Sequence, residues 1–411
     1  MKKIPAIRFP QFKEPWEHKQ LNELLAESKL KNADLKYDKD EVLSVSGELG
    51  IVNQIEHLGR SYAGESVHNY GVVEVGDIVY TKSPLKANPF GIIKINKGKP
   101  GIVSTLYAVY KVRTENADGE FLDYYFSLDA NTNRYLRPLV RKGAKNDMKI
   151  NNGYVLHDRI FAPSIPEQQR IASFLKVVDE KLSELRERKS LLEDYKKGMM
   201  QKIFTQEIRF KDDNGVNFSD WMTIKMDKLF SIFNGYAFSS NDSKGKGVRW
   251  VKIANVGIQE MKNEEQSFLP EDFLNKHKKF LLQKDDYVIA LTRPILNKEL
   301  KIAKIDDCYH NSLLNQRVGK IVSKNNTTFI YYLLQQKWLI NTIQNSIAGT
   351  DPPNLSPKEI DYIKIQCPEK KEQEKIAEFL KGIDSKIESV SEQLEETKKY
   401  KKAILQNLFC H

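Results

Sequence analysis

A long stretch from Ser164 to Phe204 constrains the fold more than any other feature, because its apolar residues recur alternately three and four positions apart. That spacing places them along one side of an α-helix, as in a coiled coil. Ser164 and Glu167 have the spacing of a helix capping box, and Pro166 is compatible with a first helical turn. The pattern predicts a helix starting at Ser164 that pairs with another helix through Ile171, Leu175, Val178, Leu182 and Leu185.

A second copy of this stretch lies 205 positions further along, near the C-terminus. It supplies the matching positions for helix pairing, which are Ile376, Leu380, Ile383, Ile387 and Val390. Both copies also contain Glu-Gln, Phe-Leu and Tyr-Lys-Lys at equivalent positions, whereas a coiled coil requires only the apolar spacing. The chain of 411 residues is therefore predicted to be one unit repeated twice.

The segment before each long helix has the pattern of a mixed α/β module. Short β-branched runs separated by glycine occupy about residues 42–112 and predict strands, and a helix is predicted from Phe121 to Leu136. The second half repeats this order before a predicted helix from Thr328 to Asn345. A short helix is also predicted after a tryptophan in each module, Trp16 or Trp221. Two modules with one framework and different loops suggest two related binding surfaces.

An Arg-Phe pair precedes each tryptophan, Arg8-Phe9 in the N-terminal tail and Arg209-Phe210 after the first long helix. The tail thus occupies the place in the pattern that residues 205–220 occupy in the second half, and we expect the two ends of the chain to meet in space. The predicted parts are residues 1–163 for the tail and first module, 164–204 for the first helix, 205–367 for the linker and second module, and 368–411 for the second helix.

Composition restricts the class of partner. Lys and Arg number 65 against 55 Asp and Glu, and the resulting net charge of +10 favours a polyanionic partner. Cys308, Cys367 and Cys410 lack the spacing of a disulfide framework or a thiolate metal site. No run of the sequence approaches the roughly 18 apolar residues that a membrane span needs. We therefore expect a cytoplasmic protein without a membrane role.

A search for catalytic, cofactor-binding or metal-binding residues yields none. The sequence lacks a phosphate-binding loop, a paired-histidine zinc motif and a serine-nucleophile motif. Asp351-Pro352-Pro353-Asn354 begins like an amino-methyltransferase motif, but Asn354 stands where that motif needs an aromatic residue against the flipped base. Glu299-Leu300-Lys301 has the spacing of a metal-dependent nuclease, which chance produces often in a chain rich in Glu and Lys. We expect no enzyme activity from this chain.

Nucleic-acid binding has better support, because corresponding loops of both modules combine cations with amides. Lys and Arg supply a sequence-independent grip on phosphates, whereas Asn, Gln and Arg can form paired hydrogen bonds with base edges. The candidate DNA-binding residues are Lys82, Ser83, Lys86, Asn88, Lys145, Asn146, Arg249, Lys252, Asn255, Thr292, Arg293, Asn297, Lys298, Gln316 and Arg317.

These features together resemble the specificity subunits of type I restriction-modification systems. The resemblance covers nearly the whole chain, because each module ends in an Ile-to-Pro segment followed by Glu-Gln-x-x-Ile-Ala-x-Phe-Leu and a long helix ending in Gln-x-x-Phe. Residues 76–80, 90–94 and 349–356 also resemble that family's target-recognition domains. The second copy departs from the pattern, because Glu-Lys-Lys separates Pro368 from its Glu-Gln pair.

The resemblance implies a mixed α/β fold with two globular target-recognition domains, joined by two long antiparallel coiled-coil helices in a pseudo-twofold internal repeat. It implies that each domain reads one half of a bipartite double-stranded DNA site and that the helices set the spacer. A specificity subunit is itself non-catalytic and binds no cofactor. Its expected partners are two modification (methyltransferase) subunits and the restriction (motor-nuclease) subunits, which carry S-adenosylmethionine, ATP and Mg²⁺.

Two alternatives remain open at the level of the sequence. A stand-alone DNA methyltransferase or nuclease would modify or cut DNA by itself when supplied with methyl donor or Mg²⁺. A non-catalytic coiled-coil adaptor for proteins would lack salt-dependent binding to DNA.

Overall fold

The computed structural model describes residues 4–64, 66–142, 148–347 and 352–409. The chain divides into two compact units, Met1–Glu187 with Ser391–His411, and Arg188–Val390. Each unit therefore contains one globular module, the first part of one long helix and the last part of the other.

The helices of the described chain include two of 40 residues, which are α5 and α10. The bounds are α1 Leu21–Leu24, α2 Gln54–Leu58, α3 Gly119–Ser127, α4 Asp129–Leu136, α5 Ile165–Phe204, α6 Phe273–Lys276, α7 Thr327–Leu333, α8 Lys337–Ser346, α9 Pro357–Asp361 and α10 Lys370–Phe409.

The strands are short, as is usual for a module built from many turns. In the first unit they are β1 Glu17–Gln20, β2 Leu25–Glu27, β3 Leu43–Ser46, β4 Gly50–Asn53, β5 Gly71–Val73, β6 Ile78–Thr81, β7 Ile93–Ile95, β8 Gly101–Val103, β9 Tyr107–Val112, β10 Arg141–Lys142, β11 Met148–Lys149 and β12 Arg159–Ala162. In the second unit they are β13 Met222–Lys225, β14 Ser231–Asn234, β15 Val248–Val251, β16 Phe268–Leu269, β17 Tyr287–Ala290, β18 Ile295–Leu296, β19 Glu299–Leu300, β20 Ile302–Lys304, β21 Leu313–Leu314, β22 Val318–Val322 and β23 Lys364–Cys367.

Each module is built on a four-stranded antiparallel sheet with the same connectivity. The strand order is β2-β9-β6-β7 in the first unit and β14-β22-β17-β20 in the second. A separate antiparallel pair, β1 with β12 or β13 with β23, joins the segment after the tryptophan to the segment before the long helix. The predicted mixed α/β repeat is confirmed.

Both modules carry an aspartate just before an inner strand of the sheet, and it has the same structural role in each. It is buried in the first module and half-buried in the second. Asp77 accepts a hydrogen bond from the backbone three residues earlier and another from Lys111 Nζ at 2.8 Å. Asp286 repeats the backbone contact and pairs with Lys320 at 2.7 Å. Since each lysine lies on the neighbouring strand, the repeated aspartate fixes a turn and joins two strands.

The prediction of one continuous helix after the strands is wrong in both modules, because each helix is broken into two. The break between α3 and α4 lies at Leu128, which has an extended backbone. Thr132 Oγ1 donates to Phe126 O at 2.6 Å and satisfies a carbonyl that the end of α3 leaves free. Between α7 and α8, Gln336 Nε2 donates to Tyr332 O at 3.1 Å. Hydrophobic periodicity does not reveal these breaks, because they depend on polar side chains that donate to carbonyl groups at the helix ends.

The short helix predicted after each tryptophan is also wrong for most of its length. Trp16 is followed by β1, the four-residue α1 and β2. Trp221 is followed by β13, a short 3-10 turn at Met226–Lys228 and β14. In both places, pairing with a distant strand satisfies the backbone and overrides the local helical pattern.

Aromatic residues join each module to the helices of its own unit. Trp16 packs edge-on against Phe121 with ring centroids 5.9 Å apart, and both rings contact Phe409 at the end of α10. The second unit repeats the arrangement with Trp221, Phe329 and Phe204. All six rings lie in the two main hydrophobic cores or directly against them.

The two long helices pair antiparallel, as the family resemblance implied. Ile171 and Leu175 share the first core with Leu408, whereas Ile376 and Leu380 share the second core with the end of α5. The start of each helix therefore lies beside the end of the other. The predicted pairing residues are all buried except Ile387, which is half-buried.

The predicted meeting of the two chain ends is confirmed. The backbone N–H of Ala6 donates to Asn407 O, close to the end of α10, at 3.1 Å. The second unit has the matching contact, in which Ile208 N–H donates to Lys202 O, also at 3.1 Å. The N-terminal tail thus follows the end of α10 in space as the linker follows the end of α5 in sequence.

Candidate nucleic-acid interface

The loops that follow β6 and β17 carry many of the predicted DNA-binding residues and occupy the same place in the two modules. Loop 82–92 joins β6 to β7, and loop 291–301 joins β17 to β20. Lys82 N–H donates to Leu106 O at 3.0 Å, and Leu291 N–H donates to Arg317 O at 2.9 Å. Each loop therefore starts against the loop that enters the adjacent strand of its sheet.

The loop of the first module presents Lys86 to solvent, while Lys82 and Ser83 are half-buried. Asn88 is 6% exposed, and its carbonyl accepts the N–H groups of Leu85 and Gly91, both at 3.0 Å. Its side-chain Nδ2 is buried and makes no hydrogen bond within the described part of the chain. The backbone of Asn88 organises the loop, and Lys86 is the cation that this loop exposes.

Gly91 closes this loop against its own strand. Its φ of +94° lies in the region that favours glycine, and a Cβ there would stand 2.0 Å from the carbonyl oxygen of Thr81. A residue with a side chain at position 91 would therefore prevent the loop that contains Lys82 and Lys86 from closing against β6.

The corresponding loop of the second module contains a tight hairpin. Strands β18 and β19 pair in a register that leaves Asn297 and Lys298 as a two-residue turn. Their φ angles are +52° and +62°, as a type I′ turn requires, and both side chains are exposed. The hairpin therefore projects an amide and a cation together from the loop.

Arg293 lies just before this hairpin and is held by a second segment of the chain. It has a φ of +49° and an exposed side chain, and its N–H donates to Pro353 O at 2.7 Å. Thr292 Oγ1 donates to Asn354 Oδ1 at 2.7 Å, and Leu355 N–H donates to the carbonyl oxygen of residue 291 at the same distance. Residues 352–355 therefore form a brace beneath Arg293.

The brace gives a structural role to residues that sequence analysis considered as the start of a methyltransferase motif and as part of a family motif, 349–356. Asn354 accepts the hydroxyl of Thr292 and donates Nδ2 to Pro352 O at 2.9 Å, so both ends of its amide are engaged in the loop. Asp351 and the start of the 349–356 motif lie outside the described residues. Only the Pro-Pro-Asn run hinted at a fixed turn in the sequence.

Three predicted residues line one open groove beside this brace. Thr292, Gln316 and Arg317 share its wall with Asn234, Leu291, Pro352, Asn354, Leu355, Ser356, Pro357 and Glu359. Gln316 and Arg317 are exposed, while their backbone N–H groups are fixed by Tyr236 O at 3.0 Å and Asn315 Oδ1 at 2.9 Å. The groove thus combines an exposed amide and an exposed guanidinium on a hydrogen-bonded backbone, two groups that can pair with base edges.

Arg249 and Lys252 of the second module lie on and just after β15. The Arg249 guanidinium lies 4.6 Å from the ring centroid of Tyr309 and donates to Asn263 Oδ1 at 2.6 Å. The ammonium of Lys252 lies 4.0 Å from the ring centroid of Trp250. Aromatic rings fix both cations, which lowers the entropy lost when they bind a phosphate.

Asn255 does not present its amide to solvent. It is 2% exposed, its Oδ1 accepts the N–H of Lys252 at 2.9 Å, and its Nδ2 donates to the carbonyls of Lys262 and Glu265. Because these three contacts of the amide lie within the loop, Asn255 shapes the loop that carries Lys252. A contact with DNA would require these bonds to open.

Lys301 is a cation of the same region that sequence analysis did not assign to DNA. It is half-buried beside β20, and its Nζ donates to Ile253 O at 2.9 Å. Burial, together with the charge of Lys262, lowers the pKa of Lys301. A phosphate would relieve the repulsion between these two lysines. Sequence analysis considered Lys301 only as the last residue of a nuclease-like Glu-x-Lys spacing.

Lys145 and Asn146 lie outside the described residues, so their placement is not described. Residues on either side of that segment line a groove in the first module. Its wall includes Arg141, Asn151, Tyr154 and His157. Within the described ranges, no three His, Cys, Asp or Glu side chains are grouped to hold a metal ion, and no helix is long and apolar enough to cross a membrane.

Comparison with known families identifies the repeated architecture. A family model described as the type I restriction modification DNA specificity domain matches residues 13–193 and again residues 218–399. The chain belongs to this family of specificity subunits. Two matches in tandem agree with the two modules seen in the fold, and a specificity subunit recognises DNA without itself being catalytic.

Curated relatives and solved structures agree with the family. The specificity subunit of the type I restriction enzyme MjaVIII from Methanocaldococcus jannaschii is 32% identical over 321 residues, covering 75% of this chain and 73% of the relative. The EcoAI specificity subunit from Escherichia coli is 29% identical over 159 residues, 38% of this chain and 27% of the relative.

The fold is shared with a crystal structure of the type I S subunit from M. genitalium. That structure has a TM-score of 0.59 and 16% identity, and the match covers 99% of each chain. A chain from a structure on complex assembly and conformational transition of the type I system has a TM-score of 0.51 and 15% identity, with 96% of this chain and 97% of that chain covered.

Proposed function

We propose that each module of this specificity subunit reads one half of a bipartite double-stranded DNA site. The observation that carries the proposal is the equivalence of the loops after β6 and β17. These strands hold the same position in the sheets of the two modules, and both loops present cations. One framework with two different loop sequences suits two different half-sites.

We assign different tasks to the candidate residues. Lys86, Lys252 and Lys298 are placed to bind phosphates, since ammonium groups act as point charges. Arg293, Asn297, Gln316 and Arg317 carry exposed guanidinium or amide groups, which can pair with a guanine or adenine edge in the major groove.

The helices supply a means of setting the distance between half-sites. A 40-residue helix such as α5 spans about 60 Å at ~1.5 Å per residue. That length exceeds the ~34–36 Å of one helical turn of DNA. We therefore propose that residues 164–204 and 368–411 act as spacer elements between recognition domains at 1–163 and 205–367.

The remaining steps of restriction and modification belong to partners in this proposal. Two modification subunits would bind S-adenosylmethionine and methylate adenine, and restriction subunits would use ATP and Mg²⁺. The exposed faces of the long helices, including Tyr195 and Tyr400, are candidate docking surfaces for these subunits. The complex would act on DNA in the cytoplasm.

Single-molecule methylation mapping of host DNA, with the gene intact and deleted, tests this function. We expect one bipartite adenine-methylated motif to vanish on deletion, which would also supply both half-sites and the spacer. An unchanged set of motifs, while the cognate modification subunit is expressed, would contradict the proposal. The purified chain alone should neither methylate nor cut DNA when given S-adenosylmethionine or Mg²⁺.

A further inference from the structure

A group of three polar side chains joins the first module to both long helices. Tyr124 of α3 donates its hydroxyl to Asp179 Oδ2 of α5 at 2.8 Å, and Lys401 of α10 makes an ion pair with the same carboxylate. The Lys401 ammonium also lies 5.3 Å from the centroid of the Tyr124 ring. Three elements of the unit thus meet at one carboxylate.

The second unit contains the same group built from the opposite helices. Tyr332 of α7 donates to Asp384 Oδ2 of α10 at 2.6 Å, and Lys196 of α5 pairs with Asp384 Oδ1 at 2.7 Å. The Lys196 ammonium lies 5.4 Å from the centroid of the Tyr332 ring. The geometry of the two groups agrees to within a few tenths of an ångström in the tyrosine contacts.

The match follows the sequence repeat. Asp179 and Asp384 are 205 positions apart, as are Lys196 and Lys401. Each tyrosine lies three positions after the phenylalanine that packs against the tryptophan of its unit. A carboxylate and an ammonium shared between helices therefore meet a hydroxyl from the module at the same point of both units.

The charged side chains of both groups are partly shielded from solvent. The side-chain exposure is 12% for Lys196 and 23% for Lys401, and 34–37% for the two aspartates. Burial, the hydrogen bond from each phenol to its aspartate and the aspartate charge raise the pKa of Tyr124 and Tyr332 above the ordinary range. Each phenol therefore keeps its proton and stays a donor.

Apolar packing and this polar group constrain a module differently. Apolar contacts in a hydrophobic core are non-directional, so by themselves they distinguish little between small rotations of one packed element on another. A hydrogen bond to a carboxylate weakens steeply when its angle or distance changes. The polar group can therefore fix an angle that the surrounding core leaves adjustable.

We propose that Tyr124–Asp179–Lys401 and Tyr332–Asp384–Lys196 are positioning groups that set the angle of each module on its helix pair and thereby limit the spacer lengths that the subunit accepts. This inference rests on the proposed reading of two half-sites. None of the six residues needs to touch DNA for this effect.

The second unit has an additional contact that predicts a difference between the modules. Lys196 Nζ also donates to Gln259 Oε1, at 3.1 Å, in the loop that follows Lys252. That loop is tied to the sheet, since Gln259 N–H donates to Ile302 O at 2.8 Å. Loss of the Tyr332 hydroxyl leaves this second link, so the first module should depend more on its tyrosine.

The test compares Tyr124→Phe and Tyr332→Phe in the full specificity and modification complex. Methylation rates are measured on duplexes that carry the mapped motif with its own spacer or with one base pair removed or added. We expect the preference for the natural spacer to fall about three- to tenfold for Tyr124→Phe, the range that one hydrogen bond supports, and by less for Tyr332→Phe. Base preference within each half-site should stay unchanged.

Tyr135→Phe is the matched control, because its hydroxyl donates to Val155 O at 2.6 Å entirely within the first module. Thermal unfolding of each variant measures the structural cost. The proposal is overturned if Tyr124→Phe leaves spacer preference unchanged, or if Tyr135→Phe changes it equally. A wild-type complex without any spacer preference would instead remove the proposed function on which the inference rests.

Discussion

Arg8 and Glu167, 159 positions apart in the chain, make a paired contact in which Nε and Nη2 each lie 2.7 Å from a carboxylate oxygen. Glu167 is 1% exposed and also accepts the indole N–H of Trp16 at 3.2 Å. The second unit repeats the contact with Arg209, Glu372 and Trp221. The Glu-Gln pair shared by both helix copies thus begins with the residue that anchors the tail or linker.

Glu167→Gln should lower the free energy of unfolding by about 2–4 kcal/mol, because it leaves a largely buried guanidinium without its charge partner. The hydrogen bonds to Glu167 raise the pKa of Arg8 in the native protein. The guanidinium also stays charged in the variant, because arginine does not lose its proton in proteins. Chemical denaturation measures the loss. Glu180→Gln, at an exposed position of the same helix, should cost little, and an equal cost for both would show that the contact contributes nothing special.

Arg293→Ala and Lys82→Ala should each weaken recognition of a single half-site. If the side chain meets a base, the expected cost is about 1–3 kcal/mol at that half-site. Binding is measured on duplexes altered in one half-site at a time, with Lys228→Ala as a control at an exposed position. Equal losses at both half-sites from either variant would count against modular reading.

Asn354→Ala should act through Arg293, because it removes the amide that accepts the Thr292 hydroxyl. We expect a loss of about 1 kcal/mol in stability and weaker binding at the half-site that Arg293→Ala affects. A double-mutant cycle between these two positions should be non-additive, whereas a cycle between Asn354 and Lys82 should be additive. Additive behaviour in both cycles would exclude a positioning role for the brace.

Removal of one heptad from each helix, residues 186–192 together with residues 388–394, should change the accepted spacer. Seven residues correspond to about 10 Å of helix, or about three base pairs of DNA at ~3.4 Å each. Methylation of a library with varied spacers should show the shift, provided that the variant complex still assembles. An assembled variant that keeps the original spacer would refute the ruler role of the helices.

Cys367 should resist alkylation in the native protein. Burial raises the pKa of its thiol to about 11, so native Cys367 holds less reactive thiolate than the unfolded chain. In a background with Cys308→Ser and Cys410→Ser, native protein at neutral pH should react about 100-fold more slowly than denatured protein, as a two-unit pKa difference implies. Because the folded protein holds this proton more tightly than the unfolded chain, the contribution of Cys367 to the free energy of unfolding is complete below pH 9. It falls as the pH rises towards 11. Similar rates for folded and unfolded protein would contradict this placement.

Part of the candidate site could be predicted because cations and amides in loops are visible in sequence. The sequence placed Arg293, Gln316 and Arg317 among the candidates, and their side chains are exposed in the structure. It could not show that Asn255 is enclosed, since the carbonyls that take up its amide come from seven and ten residues away. The effect of Lys262 on Lys301 arises only from folding.

The sequence by itself determined the twofold repeat, the long helices and their apolar faces, because heptad spacing and the interval of 205 residues are properties of the linear chain. Tertiary structure decided where the modules are fixed to those helices. The meeting of Tyr124, Asp179 and Lys401 needs segments up to 277 positions apart, and no local pattern encodes that contact. The same reason explains the wrongly predicted short helix after Trp16, where pairing with distant strands satisfies the backbone better than a local helix.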